Sequence, residues 1–134
     1  MVGLIGTEGA CAEWIFPAEP GAVRSARHAV HEALQTWNVP PAVSDVAVLL
    51  VSELVTNSCL YALGPIGVRL SLPDPDVLLV EVSDPVPDAP VARAVGPEDE
   101  GGRGLQLVAG SARRWGTRRG KTGKTVWFEL PLLG

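Results

Sequence analysis

The sequence predicts an α+β fold: a two-layer sandwich in which a mixed or antiparallel β-sheet carries three helices on one face. Three observations predict it. Short runs rich in β-branched and aromatic residues, near the N-terminus, at 67–83 and at 114–130, are bounded by proline, glycine and aspartate in the manner of strands. Two longer segments repeat apolar residues at helical spacing. The resulting order is strand, two helices, two strands, a long loop, a helix and two strands, which lacks the strict alternation of a doubly wound parallel sheet.

Residues 10–17 (Ala-Cys-Ala-Glu-Trp-Ile-Phe-Pro) read as the first strand, broken by Pro20-Gly21. Residues 22–37 read as a helix, with Val23, Ala26, Arg27, Val30, Ala33, Leu34 and Trp37 in step with a helical period. Asn38-Val-Pro-Pro-Ala connects it to a second helix that runs to about residue 63. Ser44 or a neighbour is expected to cap that helix, and Asp45 favours its positive end. Its back face carries Val48, Val51, Val55 and Cys59, so the helix is apolar on two sides and is expected to lie between another helix and the sheet. Gly64-Pro65 ends it. Strands at 67–72 and 77–83 flank the turn Pro73-Asp-Pro-Asp76. Residues 84–102 are rich in proline, glycine and acid, and too long for an ordinary connector, so they read as a lid or binding loop. A short helix at 105–112, starting at glycines, and a hairpin of strands 114–118 and 124–130 complete the chain.

Length and composition suit one domain, 1–134, with one core: the chain has 134 residues, 46% hydrophobic and 19% charged. The longest purely apolar run, 46–51, is far shorter than the ~20 residues that span a bilayer, and the N-terminus lacks a basic start. A cytoplasmic protein without a membrane partner is expected. Cys11 and Cys59 form no C-x-x-C and read as small buried residues. The net charge of −4 is uneven: residues 1–102 hold 4 basic and 14 acidic side chains, residues 103–134 hold 7 and 1. The basic third suits phosphates or an acidic protein surface. Overall acidity, without interleaved aromatics, argues against direct nucleic-acid binding.

Two motifs mislead. Gly116-Thr-Arg-Arg-Gly120-Lys121-Thr122 has three residues between its glycines where a P-loop has four, and a strand follows it. His28 and His31 have no convincing third ligand, so a helix surface explains them better than a metal.

Three groups carry chemistry. Glu53 and Asn57 are one turn apart on the second helix. At ~100° per residue they fall within ~20° of the line through Val46, Leu49, Leu50, Leu60 and Tyr61, which places them at the centre of an apolar stripe. A carboxylate and an amide there must be hydrogen-bonded, bind an ion or face a cavity. Gly101-Gly-Arg-Gly-Leu105 leads into a helix, an arrangement whose free N–H groups suit anions, phosphates above all; a plain turn or helix cap is the equal alternative. Asp84 closes an apolar strand, where a carboxylate beside a pocket can accept from a nucleobase amino group; a turn former is the plainer alternative.

Together these segments resemble the GHKL superfamily of ATP-binding domains, and within it the RsbW-like anti-sigma-factor serine/threonine kinases and stand-alone actinobacterial-type ATP-binding regulators. Leu49-Leu-Val-Ser-Glu-Leu-Val-Thr-Asn57 is similar to their N box, Glu81-Val-Ser-Asp84 to the strand entering the first glycine box, Gly101-Gly-Arg-Gly-Leu-Gln-Leu-Val108 to the second glycine box, and Gly123-Lys-Thr-Val-Trp-Phe-Glu-Leu130 to the closing strand. The blocks fall between Leu49 and Leu130, and the resemblance in order and spacing covers about residues 10–131. The resemblance implies the histidine-kinase-like ATPase fold, with ATP and Mg²⁺ as cofactors. It implies Glu53 as general base, Asn57 as the Mg²⁺ ligand and Asp84 as the adenine-reading carboxylate. It implies Gly102, Arg103, Gly104 and Leu105 at the phosphates, and Thr125 in support of adenine. The partners it implies are a sigma factor or an anti-anti-sigma antagonist phosphorylated on serine, and a second copy of the chain. One departure stands out. The family's Asp-x-Gly-x-Gly is here Asp84-Pro-Val-Pro-Asp88, without either glycine. A regulator that binds ATP without catalysis, or sequesters its partner without ATP, is therefore the alternative. An ATPase or the catalytic piece of a histidine kinase is the third reading, the latter disfavoured because no dimerising hairpin precedes Glu53.

Overall fold

The central strands of the sheet alternate buried and partly exposed residues along most of their length, and the buried side faces three helices. A computed structural model describes residues 10–61, 64–85, 100–120 and 122–132; the side chains of residues 61 and 100–105 are outside that description. The elements are β1 (Cys11–Phe16), α1 (Ala22–Thr36), α2 (Pro41–Tyr61), β2 (Ile66–Asp74), β3 (Val77–Asp84), α3 (Glu100–Ser111), β4 (Arg114–Arg119) and β5 (Lys124–Pro131). The sheet order is β1-β2-β3-β5-β4 and every neighbouring pair is antiparallel. The expected mixed or antiparallel sheet is thus antiparallel. Residue 84 ends β3, and residues 86–99, most of the expected lid, lie outside the described residues.

The core lies between the layers. Val68, Leu70, Val80 and Phe128 from the sheet meet Val30 and Leu34 of α1 and Leu50, Val51 and Val55 of α2, all 0–1% exposed. Helix α1 leans on β1, α2 on β2, β3 and β5, and α3 on β4, while α2 also packs against both other helices. That central place explains why α2 is apolar on several sides. It is also long and apolar enough to cross a membrane by length and composition. Here one side of it packs against both other helices and three strands.

Helix boundaries follow local chemistry. At the end of α1, Asn38 takes a φ of 58°. Its N–H donates to the Gln35 carbonyl and the Val39 N–H to the Leu34 carbonyl, the paired bonds of a Schellman cap with asparagine at the left-handed position. Helix α2 begins at Pro41, earlier than expected, because proline suits the first helical position and the Pro40 carbonyl already accepts from Ser44. Ser44 is therefore inside the helix and not its cap. The β2–β3 hairpin turns where the Asp76 N–H donates to Asp74 Oδ1 at 2.8 Å. Pro73 is tolerated there because the β2–β3 register shifts between Ser71 and Asp74.

The cysteines differ from expectation. Cys11 is exposed, on the outward-facing side of β1, and Cys59 is half-buried, its thiol directed at the Glu19 carbonyl at 3.6 Å. Burial pushes the Cys59 thiol above its ordinary value.

The open face of the sheet is polar. Glu81 lies between Arg69 at 3.0 Å and Arg118, both hydrogen-bonded to its carboxylate. Burial pushes the Glu81 carboxyl upward, but the bonds from Arg118 and Arg69 outweigh it and hold the group below the usual carboxylate value. Nearby, the Trp127 indole covers Gly116, where a Cβ would come within 3.0 Å of the ring.

Candidate functional site

Helix α2 organises the site. Its buried arc is Ser44, Ala47, Leu50, Val51, Leu54, Val55 and Ser58. Glu53 and Asn57 are not at the centre of that arc, as the stripe of sequence suggested, but on its flank, and both are half-buried. Leu49 and Leu60, which the same stripe included, are 48% and 56% exposed. With valine and leucine on nearly every side of α2, rotation angle alone does not choose the core face; contact with β2, β3 and β5 does. The corrected position suits chemistry better than the expected one. Glu53 and Asn57 remain neighbours on one helical face, held by rigid backbone, and neither makes a hydrogen bond or ion pair among the described residues.

Asp84 joins this helix directly. The Ser58 hydroxyl, one residue beyond Asn57, donates to Asp84 Oδ2 at 2.8 Å. The aspartate is 6% exposed overall, so this bond ties the end of β3 to α2 inside the fold. Lys124, directly opposite Asp84 in the β3–β5 register, brings its Nζ to 3.9 Å from the same oxygen. Gly123 makes the approach possible: a Cβ there would collide with the Asp84 carbonyl. Pro85, in the segment where the departure from Asp-x-Gly-x-Gly begins, packs its ring onto Gly64, where a Cβ would stand 3.0 Å from its Cγ.

Thr125 falls elsewhere. Strand alternation turns it away from the buried Val126, and its hydroxyl meets that of Ser83 at 2.7 Å on the open face of the sheet. It is therefore not beside the Asp84 carboxylate, and Lys124 is. Both Lys124 and Ser58 were missed in the sequence, although signals existed. Lys124 shares its parity along β5 with the apolar residues Val126, Phe128 and Leu130, which marks it as helix-facing. Ser58 continues the arc of Val51 and Val55, where a short hydroxyl needs a buried partner.

Gly102, Arg103, Gly104 and Leu105 belong to α3, which starts at Glu100 and not at Leu105. The glycines thus form its first turn instead of preceding it. The first backbone N–H groups of a helix have no partner within the helix, so the donors expected of this segment come from the glycines themselves. α3 packs against α2. The side chains of Arg103 and Leu105 are outside the described residues, as are Val86 and Asp88.

The donor set fits a magnesium nucleotide. Asn57 offers a neutral oxygen, which suits a hard cation that takes most of its remaining ligands from phosphate and water. Glu53 offers a carboxylate one helical turn away, the start of α3 offers N–H donors, and Asp84 offers a buried acceptor bonded to Ser58. By contrast, His28 is exposed and paired only with Glu32 at 3.3 Å, and no cluster of three metal-binding side chains occurs among the described residues.

Residues 16–130 match the family described as the histidine kinase-like ATPase domain. No curated protein sequence matches the chain. Among solved structures it is similar to the RsbU and RsbW domains of Rv1364c from Mycobacterium tuberculosis, at 20% identity and a TM-score of 0.67, over 91% of this chain and 32% of that one. The chain spans about a third of the length of that relative, and the likeness is one of fold.

Proposed function

The chain belongs to the histidine kinase-like ATPase domain family, and from that premise we propose that it binds Mg-ATP between α2 and the start of α3 and transfers the γ-phosphoryl group to a serine or threonine of a protein partner. The observation that carries this reading is the Glu53–Asn57 pair, adjacent and half-buried on α2, with Asp84 fastened to the same helix one residue farther on. The likeness to an RsbW domain supports a regulator whose partners are a sigma factor or an anti-anti-sigma antagonist.

When bound, Mg-ATP supplies an electrophilic phosphoryl group whose charge is partly neutralised by the cation. The chain supplies position and proton handling. Asn57 would hold the cation through its amide oxygen. Glu53, a turn away, accepts the proton of the attacking hydroxyl. The free N–H groups at the start of α3 would donate to the phosphates. Asp84 accepts from the base, and Ser58 keeps its carboxylate from rotating. No cofactor beyond the nucleotide and its metal is needed, because phosphoryl transfer depends chiefly on positioning and electrostatics.

Glu53→Ala tests the catalytic part. The variant is expected to keep its Mg-ATP affinity in calorimetry while radiolabel transfer to the antagonist falls by about 10²-fold or more. Undiminished transfer would remove Glu53 from the reaction. A second reading, a regulator that binds ATP and sequesters its partner without catalysis, is favoured by the Asp84-Pro85 segment: Asp84 already holds Ser58 and Lys124, and Pro85 packs tightly on Gly64. Nucleotide binding with no transfer from the wild-type chain would select it.

A further inference from the structure

Lys124 introduces a positive charge beside a carboxylate that, on the proposed reading, faces the nucleobase. The two residues pair directly across β3 and β5, and the Asp84 and Lys124 side chains are 2% and 20% exposed. Ser58 holds the aspartate from the helix side, so the carboxylate cannot turn away from the lysine without losing that bond.

We propose that Lys124 is a base-specificity residue: with Asp84 it forms an acceptor–donor couple that accepts a 6-oxopurine nucleotide as well as a 6-aminopurine one. This rests on the reading of Asp84 as the base-facing carboxylate. The edge of a 6-aminopurine presents an exocyclic N–H donor beside the N1 acceptor. The edge of a 6-oxopurine presents the O6 acceptor beside an N1–H donor. Each places one donor next to one acceptor, in opposite order. The carboxylate accepts and the ammonium donates, so the couple matches either edge. Lysine's flexible stem and three donors permit the small shift between the two arrangements. A carboxylate without the lysine accepts from the amino group but sets lone pair against lone pair at a carbonyl. Sites built for one hydrogen-bonding pattern reject the analogue that cannot complete it. If the lysine served only to neutralise Asp84, its removal would change the affinity for both bases together.

Titration calorimetry of the full chain with Mg-ATP and, separately, Mg-ITP tests this in wild type, Lys124→Met and Lys124→Arg. The wild type is expected to bind the two nucleotides within about tenfold of each other. Lys124→Met is expected to raise the ATP-over-ITP ratio by about tenfold or more, the scale of one charged hydrogen bond, and Lys124→Arg to bring the ratio back towards wild type. Should the methionine variant fail to fold, Lys124→Thr, with good strand propensity, carries the same measurement. A ratio that stays constant when lysine is removed overturns the proposal, even if both affinities change. Binding of neither nucleotide to any form overturns the nucleotide reading itself, and this inference with it.

Discussion

Two residues show how position on an element decides the effect of a side chain. Ser44 was expected to cap α2, but the helix begins at Pro41 and leaves its hydroxyl buried, with no hydrogen-bond partner among the described residues. A buried hydroxyl without a partner costs about 1–3 kcal/mol, and alanine is the better helix former. Ser44→Ala is therefore expected to stabilise the fold by about 1 kcal/mol in urea unfolding; a clear loss of stability would show that the hydroxyl has a partner. Glu81 represents the opposite case, a carboxylate with two arginine donors. Its folded value lies below its unfolded one, so its contribution is complete above about pH 4.3 and drains away as pH falls through the lowered folded value. Glu81→Gln is expected to flatten the acid limb of the stability profile below that pH while leaving its shape near neutrality unchanged. An identical acid limb in the variant would mean that the two arginines do not hold the carboxylate in solution. At this scale the sequence made Glu53, Asn57 and Asp84 visible, because polar residues interrupt apolar segments there. It hid the partners of Asp84, which depend on which strand lies beside β3.

The elements were legible to the extent that local chemistry defines them. α1 and the β2–β3 hairpin fall close to where periodicity and turn residues put them. The rotation of α2 was not legible, since an element apolar on several sides carries no single amphipathic signature and tertiary contact selects the face. The start of α3 was misplaced for a related reason: Gly101, Gly102 and Gly104 disfavour helix intrinsically, by about 1 kcal/mol each, yet they are helical in the fold. The junction of β3 and β5 makes the sharpest demand on an element. Gly123 runs against the Asp84 carbonyl with no room for a side chain. Gly123→Ala is expected to destabilise by about 1–3 kcal/mol through overpacking, and to weaken Mg-ATP binding because the collision displaces Asp84 from Ser58. A variant with wild-type stability and affinity would show that this strand end adjusts freely.

The whole molecule is a polar open sheet face, a packed middle and a helical layer that holds the candidate site. The α+β sandwich could be read from element order alone, and four ordered sequence blocks pointed to its family, which residues 16–130 confirm. The uneven charge also gains a place in the fold: Arg114, Arg118 and Arg119 all lie on β4, an edge strand, where exposed cations discourage pairing with another sheet. What unites the layers functionally is α2, which touches every other helix and three strands while presenting Glu53 and Asn57 at its flank. The most direct test is calorimetry of Mg-ATP with the wild-type chain and with Asn57→Ala, each with and without Mg²⁺. The proposed site predicts magnesium-dependent binding to the wild type and a loss of about tenfold or more in the variant, on the scale of one charge-assisted contact. Equal affinity in both proteins, or no magnesium-dependent binding to the wild type, would contradict it.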